Sequence, residues 1–122
     1  MIGIGVDLVD VDDFRARMER TPGLAERLFL PAERDYADRR RDPAERYAVR
    51  FAAKEAVMKA LGVGLGEVEF HDIEVVRDDD SGRPHVVLRG RAARLAAERG
   101  VTAWLLTLTH TDHLAEAIAV AV

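Results

Sequence analysis

The sequence predicts an α+β fold with a largely antiparallel sheet and one long central helix. Three observations carry that expectation. Apolar runs near both ends of the 122-residue chain read as strands. The middle holds an Ala-rich stretch free of Gly and Pro, Ala44–Leu61, which reads as a helix. The elements follow the order β-α-α-α-β-β-α-β-β, not the alternation that a doubly wound parallel sheet requires. The length fits a single domain over residues 1–122, at the usual ~100–200 residues per domain.

Each element has its own warrant. Ile2–Val9 is apolar with two glycines and reads as a strand, although Asp7 falls within it. Asp12 or Asp13 is the expected cap of a helix starting near Phe14, with Phe14 and Met18 facing the core. Thr21-Pro22-Gly23 breaks that helix, and Leu24–Leu30 reads as a short amphipathic one. Pro31 opens a further charged helix that ends before Pro43. Gly62 closes the long helix, and GVGLG at 62–66 connects to a strand over Val68–Val76. The acidic turn Asp78–Gly82 leads into a strand over His85–Arg89, so the pair reads as a hairpin. Arg91–Arg99 is a helix closed by Gly100, and Trp104–His110 and Leu114–Val122 are the last two strands. No internal repeat or low-complexity tract appears.

Composition narrows function. Lys plus Arg is 18 and Asp plus Glu is 22, a formal charge of −4, which disfavours a general nucleic-acid binder. The absence of Cys removes disulfides, thiolate catalysis and Cys-ligated zinc. The longest uncharged stretch, Gly100–Thr111, is too short to span a membrane, and the N-terminus lacks the pattern of a signal peptide. A cytoplasmic location without membrane contact is expected. The chain has 16 Arg but only two Lys, Lys54 and Lys59. That is either chance in an Arg-rich chain or a segment that needs compact ammonium charges.

On a helical wheel Phe51, Met58 and Leu61 form one apolar stripe with Glu55 at its edge. Glu55 and Lys59 could form an ordinary i, i+4 pair. Alternatively Glu55 faces a metal ion at the rim of the core. Asp7, in an apolar strand that offers no local partner, is either a solvent-facing strand-end residue or a second ligand. Two carboxylates with few other donors suit Mg²⁺, which retains water and accepts substrate phosphate oxygens. With Lys54, Lys59 and Arg50 expected nearby, the guest would be a di- or polyphosphate. Gly3-Ile4-Gly5 lacks the third glycine of a dinucleotide fingerprint. His110 and His113 lack a third soft ligand for zinc. Ser81 has no setting of a hydrolase nucleophile.

These motifs together resemble the holo-acyl-carrier-protein synthase type of 4′-phosphopantetheinyl transferase, nearly end to end. The matching residues are GIGVDLV at 3–9, RFAAKEAVMKALGVG at 50–64, GRP at 82–84 and LTLTHT at 106–111. The resemblance implies Mg²⁺-dependent transfer of 4′-phosphopantetheine from coenzyme A to a carrier-protein serine, releasing adenosine 3′,5′-bisphosphate. It places metal ligands on Asp7 and Glu55, with Lys59 completing the catalytic set at the pyrophosphate. Arg50 and His110 would help hold the 3′-phosphate and diphosphate, with Arg41 or Arg46 looser candidates. Gly82-Arg83-Pro84 would line the adenine pocket by backbone, and Gly62 and Thr109 would also touch coenzyme A. The serine proton would pass to water on the metal or on Glu55, with Asp35 a weaker acceptor. The resemblance further implies a homotrimer with sites shared between subunits.

The chain departs from the family pattern in one place. A basic residue usually follows the metal Asp by six positions to meet the carrier, and here that position is Asp13. Arg15, Arg17, Arg20 and Arg27 are left to supply the basic surface. The departure raises a modular-synthase carrier beside the fatty-acid acyl carrier protein. Other readings of the same residues are a Mg²⁺-dependent diphosphate hydrolase and an inactive oligomeric scaffold of the same fold.

Overall fold

The computed structural model describes residues 1–122. It begins with β1 (Gly3–Asp10), which runs straight into α1 (Val11–Arg20) with no loop. Asp10 ends the strand and also caps the helix, its side chain accepting from the Asp13 N–H at 2.9 Å. The cap therefore lies two residues before the earlier of the two expected positions, because Val11 is needed as a fully buried core residue in the first turn.

After Gly23, α2 covers Leu24–Leu28. It stops short of Leu30 because Phe29 turns extended to enter the core and Leu30 precedes a proline, which disfavours helical backbone. Helix α3 covers Pro31–Asp38 and α4 covers Pro43–Leu61, each with Pro in its first turn. Gly62 ends α4 at φ 70°, the left-handed conformation suited to glycine. A single 3-10 turn at Phe70–Asp72 delays β2 to Ile73–Arg77, so the strand expected from Val68 starts five residues later. The rest follows the expected order: β3 (Pro84–Leu88), α5 (Gly90–Glu98), β4 (Trp104–His110) and β5 (Leu114–Ala121).

The predicted α+β class and antiparallel pairing hold, but the strands divide into two sheets. One has the order β1-β5-β4 and the other is the β2-β3 hairpin. Side chains alternate across the three-stranded sheet. The inner face carries Gly3, Gly5 and Asp7 on β1 and the fully buried Ala115, Ala117, Ala119 and Ala121 on β5. Helix α4 lies on this face through Ala52, Ala53 and Ala56, all fully buried. The approach is so close that a Cβ on Gly5 would sit 2.0 Å from the Ala56 carbonyl oxygen, and one on Gly3 2.0 Å from that of Ala60. The two glycines thus seat a helix against a strand, which agrees with rejecting a nucleotide fingerprint.

Helix α4 joins two hydrophobic clusters. One gathers Ala52, Val57, Met58 and Leu61 with Ile73 and Ala92, and the other gathers Phe14, Phe29, Tyr47 and Val49. A charged pair, Lys54 and Glu33, is buried where α3, α4 and β2 meet. No helix is long and apolar enough to cross a membrane.

Candidate active site

The predicted site residues fall into two groups on different sides of α4. At about 100° per residue, nine residues turn a helix by half a revolution, so Arg50 and Lys59 face opposite ways. The Lys59 face meets β1. The Lys59 Nζ donates to the Val6 carbonyl at 2.9 Å and to Asp7 Oδ1 at 3.1 Å. Glu55, one turn earlier, is half-buried. Burial pushes its carboxyl above the usual range, the Asp7 charge pushes further in the same direction, and Lys59 pulls back. Two neighbouring carboxylates thus share one lysine, and that lysine is about half exposed.

A cation would relieve this surplus of negative charge. No group of three or more His, Asp or Glu side chains is arranged to hold a metal ion. A resident ion would have only the two carboxylates here and would complete its shell with water or substrate oxygens. That donor set fits Mg²⁺ and does not fit zinc.

The Arg50 face opens on a cleft of about 630 Å³ between α4, β4 and the hairpin turn. Its lining includes Arg46, Arg50, Arg77, Arg83 and His110 and contains no carboxylate. In a chain of net charge −4, such a surface is built for an anion. Gly82 and Pro84 lie at one edge, Trp104 and Leu106 line the β4 wall, and Tyr36 approaches from α3. His110 Nδ1 lies 3.4 Å from Glu45, which stands behind it. Arg50 is only 5 % exposed, yet its Nε has no hydrogen-bond partner.

The structure brings Arg50, Arg83, Pro84 and His110 together as the sequence suggested, and Arg46 joins them. Arg41 lies in an adjoining recess with Arg40, Asp42, Glu45, Arg46 and Asp112. Thr109 is exposed on β4 opposite Glu116, between Leu108 and His110 of the cleft lining. Gly62 caps α4, its N–H donating to the Lys59 carbonyl at 3.0 Å. Asp35 is exposed and paired with Arg39 at 3.2 Å.

Two expectations are corrected. Lys54 does not belong to the phosphate site: it is fully buried, donates to the carbonyls of Phe70 (2.9 Å) and Ile73 (2.6 Å), and pairs with Glu33 at 2.8 Å. Nor does Arg50 lie beside Lys59 within one copy of the chain. Arg15, placed in the basic surface, makes a two-pronged contact with Asp42 at 2.7 and 2.9 Å, whereas Arg17, Arg20 and Arg27 are exposed. Tyr36, Arg77 and Trp104 in the cleft were not anticipated. Hairpin register gave a signal for Arg77, since it pairs with Pro84 across the turn.

Comparison with known proteins identifies the family. Residues 3–119 match the family model of the 4′-phosphopantetheinyl transferase superfamily. The holo-[acyl-carrier-protein] synthase of Desulforudis audaxviator is 53% identical over 123 residues, covering 100% of this chain and 93% of that protein. Its counterpart from Frankia alni is 50% identical over 121 residues, covering 99% and 97%. Among solved structures, a holo-(acyl-carrier-protein) synthase from Bacillus anthracis in complex with CoA (3′,5′-ADP) superposes with a TM-score of 0.81 at 32% identity, covering 98% and 95%. The chain belongs to the holo-acyl-carrier-protein synthase family of the 4′-phosphopantetheinyl transferase superfamily.

Proposed function

We propose that the chain transfers the 4′-phosphopantetheine group of coenzyme A to a serine hydroxyl of an apo acyl carrier protein. The observation that carries this reading is the cleft, with four arginines, a histidine and no carboxylate. Coenzyme A brings a 3′-phosphate and a diphosphate, and such a lining is complementary to both. In the reaction the serine oxygen bonds to the phosphorus that bears pantetheine, the diphosphate P–O bond breaks, and adenosine 3′,5′-bisphosphate leaves. The serine proton passes to solvent.

Asp7 and Glu55 would hold Mg²⁺, which when bound supplies charge neutralisation at the diphosphate oxygens. Lys59, held toward Asp7, adds a compact positive charge at the same place. Arg50, Arg83 and His110 bind the nucleotide phosphates, and Gly82 and Pro84 leave room at the hairpin for the base. Catalysis on this reading is positioning plus electrostatics and needs no nucleophile from the chain.

The two groups face opposite sides of α4, so one coenzyme A is best served when a neighbouring copy brings its cleft to this copy's carboxylates. The outer sheet face favours such an assembly. Ile4, Val6, Leu8 and Leu105 are each more than half exposed and lie beside Ile118 and Val120. An apolar surface of that kind marks an interface, and we assign it to a homotrimer in the cytoplasm. Arg17, Arg20 and Arg27 offer the carrier its basic contact.

The test is mass spectrometry of apo carriers incubated with the protein, coenzyme A and Mg²⁺, using both a fatty-acid and a modular-synthase carrier. A gain of one phosphopantetheine mass is expected, and the carrier that gains it faster identifies the partner that the Asp13 departure left open. Coenzyme A cleavage without a carrier would replace transfer by hydrolysis. Failure to bind coenzyme A at all would leave a scaffold.

A further inference from the structure

Arg50 poses a physical problem. A guanidinium 5 % exposed normally has a carboxylate partner, since an unpaired charge is costly to bury. Arg50 has no ion-pair partner, and its Nε lacks any acceptor. The nearby carboxylate, Glu33, is occupied by Lys54 and by the backbone N–H groups of Leu30 and Val75. What Arg50 has is an aromatic ring: its guanidinium carbon lies 4.0 Å from the centroid of Tyr36. A second guanidinium, that of Arg40, lies 4.2 Å from the same centroid. Tyr36 and Arg50 both line the anion cleft.

The two ways of holding a buried guanidinium differ in what they leave free. A carboxylate takes the in-plane N–H donors, the same edge that a phosphate needs. An aromatic ring contacts the flat face and leaves the edge unoccupied. We propose that Tyr36 is a positioning residue that holds Arg50 by its face, keeping the guanidinium edge free to receive a phosphate of coenzyme A. Arg40 on the ring braces the stack from the surface. Burial lowers the Arg50 pKa, as expected of a buried guanidinium with no carboxylate partner. The inference rests on the coenzyme A reading of the cleft.

The experiment is calorimetric binding of adenosine 3′,5′-bisphosphate to the full chain, without metal or carrier, alongside KM and kcat for coenzyme A. Tyr36→Leu should weaken bisphosphate binding about tenfold and raise KM with little change in kcat. Tyr36→Phe should stay within about twofold of the parent. Arg50→Leu should weaken binding more than Tyr36→Leu while leaving it measurable through the remaining cleft arginines, and the double variant should be no worse than Arg50→Leu alone, because Tyr36 acts through Arg50. Pentafluorophenylalanine at 36 keeps the shape and reverses the ring's charge distribution, so it should behave like Leu even if Tyr36→Leu folds poorly. Additive losses in the double variant, or equal losses with Phe and Leu, would overturn the positioning role. A parent protein that binds no bisphosphate would overturn the coenzyme A reading and the role together. Binding by the parent with no effect at Tyr36 would overturn the role alone.

Discussion

Lys54 and Lys59 stand five residues apart on one helix and live in opposite worlds. At the junction of α3, α4 and β2, Lys54 has one carboxylate and two carbonyls for its ammonium protons, and no exposed surface. Glu33 is satisfied in turn by Leu30, Val75 and Lys54. At the β1 rim, Lys59 is about half exposed and serves Asp7 while Glu55 is left with surplus charge. Closed polar networks hold a fold together. Open ones with unbalanced charge are completed by a ligand. The same contrast separates Arg15, locked to Asp42, from Arg50, which has no anion in the chain.

The sharpest way to break the comparison is to remove one member of the closed pair. Lys54→Met should cost about 3–5 kcal/mol of stability, because Glu33 is left as a buried unpaired charge. Urea unfolding reads it, and a loss under about 1 kcal/mol would mean that water or Arg50 replaces the ammonium. The double variant Glu33→Leu/Lys54→Met should recover most of the loss, since an apolar pair of similar volume avoids both desolvation penalties. A comparable loss is expected where α4 meets β1. Gly5→Ala places a methyl 2.0 Å from the Ala56 carbonyl, and backbone on both sides leaves only strain, about 3 kcal/mol or more.

The open site should respond in the reverse sense. Glu55→Gln and Asp7→Asn should unfold at urea concentrations equal to or above the parent, because each removes charge from a crowded pair. Both should lose transfer activity by about a hundredfold or more, the scale of losing a preorganised electrostatic contact. Mg²⁺ should raise the melting temperature of the parent and not of these variants. Activity close to the parent in either variant would remove it from the metal site. Lys59→Arg should lose less but still clearly more than twofold, since a broad fork does not replace a point charge between Val6 and Asp7.

Much of this was legible in the sequence, and the omissions have a common cause. Strand-like ends, the Ala-rich helix and the hairpin turn are local patterns, and they gave the element order. Boundaries moved where a neighbour decided them: Pro31 ended α2 early, and Val11 pulled the α1 cap back to Asp10. Asp7, Glu55 and Lys59 were visible because a charge in an apolar context stands out, and spacing on one helix linked two of them. The pairing of Lys54 with Glu33 was hidden, because it spans 21 residues and joins two elements whose packing no local pattern reports. Tyr36 was hidden for the same reason. It lies in a charged helix, and only the fold lays its ring against Arg50. The split of the site between two faces of α4 was available from the wheel by arithmetic, but its meaning needed the sheet on one side and the cleft on the other.

The smallest effect concerns the exposed contact that ties the start of α1 to the β4–β5 turn. His113 Nδ1 lies 2.9 Å from Asp12, and the Val11 N–H donates to the His113 carbonyl at 2.8 Å. The side-chain bond to Asp12 raises the His113 pKa above its ordinary value, with the Asp12 charge adding to it. The folded state therefore holds this proton more tightly than the unfolded chain. The stabilisation is complete below the unfolded pKa, about 6.5, and disappears as pH rises through the higher folded value. Solvent and salt screen it, so the difference is small and shrinks with ionic strength. Comparing the parent with Asp12→Asn, unfolding midpoints should differ most near pH 6 and converge by pH 9. A difference that persists unchanged at pH 9 would assign the contribution to Asp12 at the α1 N-terminus, where a carboxylate is favourable without any histidine.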